Sequence, residues 1–176
     1  MKYPIGIQSF EKIRKDGFVY VDKTALIYDL VNNGTIYFLS RPRRFGKSLL
    51  VSTLENNFLG RKELFRGLAI DSLEKEWNTY PVFHIDFNGK EFTEPLELKS
   101  TLDTFVASCE DKYGKDVNAQ TYGDRLLHVF KQAHEQTGRR AVVLVDEYDK
   151  PLIDVMDKNI PAPVVNGDIK TLTDFN

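Results

Sequence analysis

Cysteine is almost missing from this chain of 176 residues, which contains only Cys109. A single cysteine rules out an internal disulfide, and such scarcity fits a reducing cytoplasm. Long apolar runs are also missing. No run approaches the ~20 residues of a membrane span, and the N-terminus lacks the apolar core of a signal peptide. These absences predict a cytoplasmic protein with no membrane segment.

The chain also lacks an excess of charge of one sign. It has 24 Lys and Arg residues against 26 Asp and Glu residues, for a net charge of −2. This balance does not favour a protein that coats nucleic acid through its overall charge. The hydrophobic fraction of 41% is ordinary for a globular protein, and the length suffices for one domain with a core.

The most informative stretch is IYFLSRPRRFGKSLL, which runs from Ile36 to Leu50. Its apolar start over 36–39 predicts a short buried strand. Helical spacing follows over Lys47–Phe58, and Gly60 is predicted to end that helix. The turn between them closes on Gly46-Lys47-Ser48. Strand, Gly-Lys-Ser and helix in this order is the layout of a phosphate-binding P-loop.

The chemistry of this turn suits a polyphosphate. A helix start offers unpaired N–H groups and the positive end of the helix dipole. Lys47 is predicted to reach the β- and γ-phosphates, and the Ser48 hydroxyl to bind Mg²⁺. The general pattern has Gly five residues before Gly46, where this chain has Arg41, so the loop must start differently. The alternative interpretation is a basic surface turn that caps a helix.

A second signal is the apolar run Ala141–Val145, which Asp146 and Glu147 follow directly. The pattern predicts a buried parallel strand whose acidic end meets a site. In P-loop NTPases such a strand carries an Asp that holds Mg²⁺. Asp146 is therefore the predicted metal ligand beside Ser48, and Glu147 is predicted to polarise the attacking water. The alternative is a core strand whose acids merely meet solvent.

The remaining pattern predicts helices and one further strand. Ser9 is predicted to cap a short helix, and Asp22 a second helix that ends at Asn32–Gly34. Residues 81–87 are predicted as a buried strand. Helices are predicted over 96–113, with Cys109 in the core, and over 123–137.

Several segments resemble the predicted AAA-ATPase-like proteins common in gut bacteria: PIGIQSFEKIR, YVDKT, FLSRPRRFGKSLL, LFRGLAI and VVLVDEYDKP. The resemblance covers about residues 3–152, and RPRRFGKS is the usual variant P-loop of that family. It implies an α/β fold of the P-loop NTPase-like three-layer αβα type with a mostly parallel sheet. It also implies ATP and Mg²⁺ as cofactors. The implied nucleotide contacts are Arg41, Arg43, Arg44, Phe45, Gly46, Lys47 and Ser48, together with the N-terminal motif Asp22, Lys23 and Thr24.

The expected organisation is an N-terminal extension (1–35) packing on an ATPase-like core (36–152), then an irregular tail (153–176). The sheet order implied by the resemblance needs a sensor strand after Asp146, and no such strand is identifiable. Many family members carry a C-terminal PD-(D/E)xK nuclease-like domain, which is also not found. The chain is therefore expected to be the N-terminal part of a longer member. Its tail, a partner protein, a second copy or a rearranged strand order would complete the sheet.

Two functions from different classes follow from these features. The first is an ATP-hydrolysing module, a phosphoric anhydride hydrolase, in which Glu147 orients the water and Lys47 assists. The second is a truncated, non-hydrolysing module whose protein interactions depend on nucleotide; the missing sensor strand favours it. A third option is direct nucleic-acid binding by Arg41, Arg43, Arg44, Arg139 and Arg140, which requires these residues to share a face.

Overall fold

A computed structural model of the chain describes residues 1–40 and 44–156. The chain divides into two compact units: unit 1 is Met1–Val82, and unit 2 begins at Phe83. This boundary lies inside the predicted core of 36–152. It does not follow the expected division after residue 35, because the N-terminal residues belong to the same unit as the Gly-Lys-Ser helix.

Unit 1 is mainly helical. Its helices are α1 (Phe10–Lys15), α2 (Thr24–Asn33), α3 (Lys47–Phe58), α4 (Lys62–Phe65) and α5 (Ala69–Leu73). The prediction for Ser9 is confirmed, since its Oγ accepts a hydrogen bond from the Lys12 N–H at 3.2 Å. The predicted bounds of α3 are also confirmed. The N-cap of α2 is Lys23, so the prediction of Asp22 is one residue early.

The core of unit 1 is built on aromatic rings. Phe10 and Phe65 are fully buried, and their ring centroids lie 4.7 Å apart. The ring centroids of Trp77 and Phe65 lie 5.1 Å apart. The Phe10 N–H donates to Ser52 Oγ at 3.0 Å, so α1 packs on the middle of α3.

The predicted buried strand over 36–39 is wrong. This segment forms neither helix nor strand, and Ile36 and Phe38 are 80% and 71% exposed. A strand exists only where a neighbour pairs with its backbone. Among the described residues of unit 1, the only β-pairing is a single bridge between Lys2 and Phe18. No strand among the described residues of unit 1 therefore pairs with this run in the way that its pattern presupposes.

Unit 2 combines two strands with three helices. Its elements in chain order are β1 (Val82–Asp86), α6 (Pro95–Tyr113), α7 (Tyr122–Thr137), β2 (Val142–Asp146) and α8 (Lys150–Met156). The bounds of the predicted strands and long helices are confirmed to within one residue. The predicted burial of β2 is wrong, since Val143 and Val145 are 49% and 44% exposed. Helix α8 extends into the predicted irregular tail (153–176), of which residues 157–176 lie outside the described part.

β1 and β2 form a two-stranded parallel sheet. Phe83 of β1 packs with Tyr113 of α6 and Phe130 of α7, at centroid distances of 5.4 and 4.8 Å. Cys109 lies in this core, as predicted, and burial raises the pKa of its thiol. The mixture of helices and parallel strands agrees with an α/β protein, although two strands do not by themselves define the predicted three-layer sandwich.

An ion pair connects the two long helices of unit 2. Arg125 of α7 donates from Nε and Nη2 to the two carboxylate oxygens of Glu110 on α6, both at 2.8 Å. Glu110 is buried, and the hydrogen bonds from Arg125 hold the pKa of its carboxyl below the ordinary value.

No helix in the described part of the chain is long and apolar enough to cross a membrane.

Candidate functional site

Gly46 forms the turn that begins α3. Its φ of 77° lies in the left-handed region, which glycine adopts without a Cβ clash. Its carbonyl accepts from the Leu50 N–H at 3.0 Å, so the helix starts with Lys47 and Ser48 in its first turn. The N-cap residue Gly46 makes no side-chain capping bond, and no acidic residue lies in the first turn. The backbone geometry is therefore suited to receive an anion.

The loop before Gly46 is described only from Arg44 onward. Arg44 has a φ of 68°, which is uncommon for a residue with a side chain. Phe45 is exposed beside it. The predicted nucleotide contacts Arg41 and Arg43 lie outside the described residues.

Hydrogen bonds hold α3 in unit 1. Ser52 also accepts a second hydrogen bond, because its backbone carbonyl accepts from Asn56 Nδ2 at 2.7 Å. The Asn56 side-chain oxygen accepts from Arg61 at 3.1 Å, and Arg61 also pairs with Glu11 of α1 at 2.7 Å. The helix that carries the Gly-Lys-Ser turn is thus tied to α1 by polar contacts as well as by apolar packing.

The N-terminal motif Asp22-Lys23-Thr24 joins α2 to the start of α5. Asp22 Oδ1 accepts from the Thr24 hydroxyl at 2.7 Å, and Asp22 Oδ2 accepts from the Ala69 N–H at 2.7 Å. Thr24 Oγ1 in turn accepts from the Ile70 N–H at 3.1 Å. Burial raises the pKa of Asp22, but the hydrogen bonds from Thr24 and Ala69 outweigh it and leave the pKa below its ordinary value.

These contacts give two members of the motif a structural task that sequence reasoning missed. Thr24 is fully buried, and Asp22 bonds to a residue 47 positions away. No local sequence pattern predicts a hydrogen-bond partner at that separation. Lys23 is exposed. A nucleotide contact by any of the three stays a prediction.

Asp146 ends β2, and Glu147 follows it at the carboxyl end of the strand, as predicted. The Asp146 carbonyl accepts from the Phe87 N–H at 3.2 Å, which continues the sheet pairing. Its side chain is 6% exposed, and Oδ1 accepts from the Glu147 N–H at 3.0 Å. Glu147 is half-buried with a φ of 53°. The acidic pair is therefore held in a tight turn.

Backbone strain marks both predicted site segments. Among the described residues, the non-glycine positions with positive φ are Arg44 and Glu147. One lies beside the Gly-Lys-Ser turn and the other in the acidic turn. Such conformations concentrate at functional sites, so they support the choice of segments without reference to either motif.

The structure brings the predicted residues together as two separate groups. Gly46, Lys47 and Ser48 share one turn of unit 1, and Asp146 and Glu147 share one turn of unit 2. The described residues contain no cluster of three His, Cys, Asp or Glu side chains placed to hold a metal ion. A magnesium ion bound mainly by phosphates and water needs no such cluster. Shared binding of Mg²⁺ by Ser48 and Asp146 stays a prediction.

The mixed helix and strand architecture, with a Gly-Lys-Ser helix start and an acidic strand end, is that of an α/β protein. The chain belongs to the family described as "Predicted AAA-ATPase", which matches residues 4–175. The resemblance seen in the sequence is thereby confirmed. The family description indicates nucleotide binding.

The chain is also similar to a longer bacterial protein. The chain is 41% identical over 170 residues to a protein of Azotobacter chroococcum mcd 1 described as "Uncharacterized protein in vnfD 5'region". The match covers 96% of this chain and 32% of that relative, so the chain spans about a third of the relative's length. No solved structure matches the chain.

Proposed function

We propose that the chain is an ATP-binding module in which Gly46, Lys47 and Ser48 hold the phosphates. The observation that carries the proposal is the left-handed Gly46 at the start of α3. This N-cap residue makes no side-chain capping bond, and no acid lies in the first turn. Backbone N–H groups of the first turn would bind phosphate oxygens, and Lys47 would neutralise charge on the β- and γ-phosphates.

The donors on the two segments suit magnesium. The Ser48 hydroxyl and the Asp146 carboxylate are hard oxygen ligands of the kind that Mg²⁺ prefers. When bound, the ion would neutralise charge on the transferred phosphoryl group. The proposal assigns Ser48 and Asp146 to the same ion, with Asp146 acting directly or through water.

We further propose that the module hydrolyses ATP. Glu147 would orient a water for in-line attack on the γ-phosphorus and accept its proton. The new P–O bond forms as the bond to the β,γ-bridging oxygen breaks, which yields ADP and inorganic phosphate. Support comes from the position of Glu147 at the carboxyl end of a parallel strand, where α/β proteins bind ligands.

A non-hydrolysing, nucleotide-dependent interaction module is the second candidate. Within unit 1, Ile36 and Phe38 are exposed a few residues before the Gly-Lys-Ser turn. Within unit 2, Val143 and Val145 are exposed on β2. Exposed apolar groups of this size favour contact with another protein segment. In this function Glu147 would have no catalytic task.

Phosphate release in the presence of Mg²⁺ separates the two candidates. If the chain hydrolyses ATP, Glu147→Gln should retain ATP affinity by calorimetry and lose about 100-fold or more of the turnover. The matched control is Glu63→Gln, at an exposed glutamate of α4. Phosphate release that is unchanged in Glu147→Gln would refute the catalytic role. Binding without release in the parent chain would favour the interaction module.

A further inference from the structure

We propose that unit 1 contains a second ligand site, which takes an uncharged nucleobase or nucleoside. The site is a pocket of about 400 Å³ at the C-terminal end of α3, here called the α3-end pocket. Its walls come from α2, from the last turn of α3 and from the segment 73–80. The volume lies within the range of small-molecule sites. The proposal stands apart from the phosphate loop and does not rest on it.

Aromatic side chains supply much of the wall: Tyr28, Phe58, Trp77 and Tyr80. Phe58 and Tyr80 meet edge to face, with centroids 5.6 Å apart. The Tyr80 N–H donates to the Phe58 carbonyl at 2.8 Å, which fixes the segment 73–80 against α3. Aromatic faces held in place can stack on a planar heterocycle.

Gly60 permits the close approach of this segment. A Cβ at that position would lie 2.8 Å from Thr79 Oγ1 and 3.1 Å from the Trp77 carbonyl oxygen. The glycine also has a φ of 68°, a conformation that disfavours any other residue. The pocket wall is therefore built into the backbone and does not depend on side-chain rotamers alone.

A carboxamide supplies the polar contact. Asn57 lines the pocket, and the residue is 8% exposed. A carboxamide offers a donor and an acceptor side by side, which matches the paired donor and acceptor edge of a nucleobase. The Trp77 indole N–H is a buried donor with no partner in the described part of the chain.

The charge of the lining argues against a phosphorylated ligand. Glu74 and Glu76 line the pocket against a single lysine, Lys75, so the balance is negative. A phosphate would meet repulsion there, whereas a neutral base would not. Along α3, Asn57 lies ten residues after Lys47, or about 15 Å at the helical rise. The α3-end pocket is therefore distinct from the Gly-Lys-Ser turn.

Trp77 is the single tryptophan of the chain, so its fluorescence reports on the α3-end pocket. The 176-residue chain is titrated separately with adenosine, guanosine, cytidine and uridine. We expect at least one nucleoside to change the emission with saturation, and to do so equally in Lys47→Ala. We also expect ATP to give a weaker response than adenosine at equal concentration.

Variants at Asn57 test the carboxamide. Asn57→Leu should weaken nucleoside binding at least tenfold. The isosteric Asn57→Asp should lower the affinity for the preferred nucleoside or change which of the four binds most tightly. Asn33→Leu, at an exposed asparagine of α2, is the matched control and should bind like the parent. If Asn57→Leu does not fold, the result for Asn57→Asp alone decides whether the carboxamide contributes to nucleoside binding. Absence of a response to all four nucleosides, or an unchanged affinity and preference in the Asn57 variants, would overturn the proposal.

Discussion

The two units hold their candidate site residues by different means. In unit 1, the Gly-Lys-Ser turn is a property of three adjacent residues, and hydrogen bonds such as Phe10 to Ser52 hold the helix behind it. In unit 2, Asp146 takes its position from strand pairing with residues about 60 positions earlier. A site made by a local turn should tolerate changes elsewhere in its unit, whereas a site made by pairing should depend on the core around it.

The largest expected effect concerns the core of unit 2. Arg125→Met should lower the free energy of unfolding by about 3 kcal/mol, because Glu110 would be left buried without its partner. Urea unfolding followed by circular dichroism measures this change. Lys131→Met, at an exposed lysine of α7, is the control. Equal stability of the two variants would mean that the ion pair between α6 and α7 does not stabilise unit 2.

The turn of unit 1 is tested by Lys47→Ala. We expect ATP affinity to fall about 100-fold, as expected for loss of charge-assisted contacts worth up to ~3 kcal/mol. Isothermal calorimetry measures the affinity, and Lys62→Ala at an exposed lysine of α4 is the matched control. If the Lys47 variant bound ATP as tightly as the parent, the phosphate role of the turn would be wrong.

The link between α2 and α5 should have a smaller effect. Thr24→Val keeps the volume of the side chain but removes the acceptor of the Ile70 N–H and the donor to Asp22. We expect a loss of about 1 to 2 kcal/mol in the free energy of unfolding. Thermal and urea unfolding measure it, with Thr35→Val at an exposed threonine as the control. A variant as stable as the parent would show that this buried hydroxyl contributes nothing.

The smallest expected effect is a dependence of the free energy of unfolding on pH in the acidic range. The pKa of Glu110 is lowered in the folded state by the hydrogen bonds from Arg125, relative to an ordinary value of 4.5. The ionised pair therefore stabilises unit 2 above that ordinary value, and this contribution is lost as pH falls through the lowered folded pKa. Unfolding free energies of the parent and Glu110→Gln should converge at acidic pH. A constant difference down to the lowest pH would contradict the assignment.

The same contrast explains what the sequence could predict. The bounds of α3 and the cap at Ser9 depend on neighbouring residues, and each was predictable. The acidic end of β2 was predictable because two acids directly follow its apolar run, although the strand itself depends on pairing with β1. The predicted strand over 36–39 was wrong, because strand formation depends on a partner strand that no local pattern reveals. The α3-end pocket was not predictable from the sequence for a related reason, because its walls come from α2, α3 and the segment 73–80.

We propose that Ser48 and Asp146 act on one nucleotide-bound magnesium ion. A double-mutant cycle measures this most directly, using Ser48→Ala, Asp146→Asn and their combination, with Mg²⁺-dependent ATP affinity as the readout. We expect a coupling energy of about 1 kcal/mol or more, with the double variant little worse than the poorer single variant. Strictly additive losses, or an Asp146 variant with unchanged magnesium dependence, would contradict it.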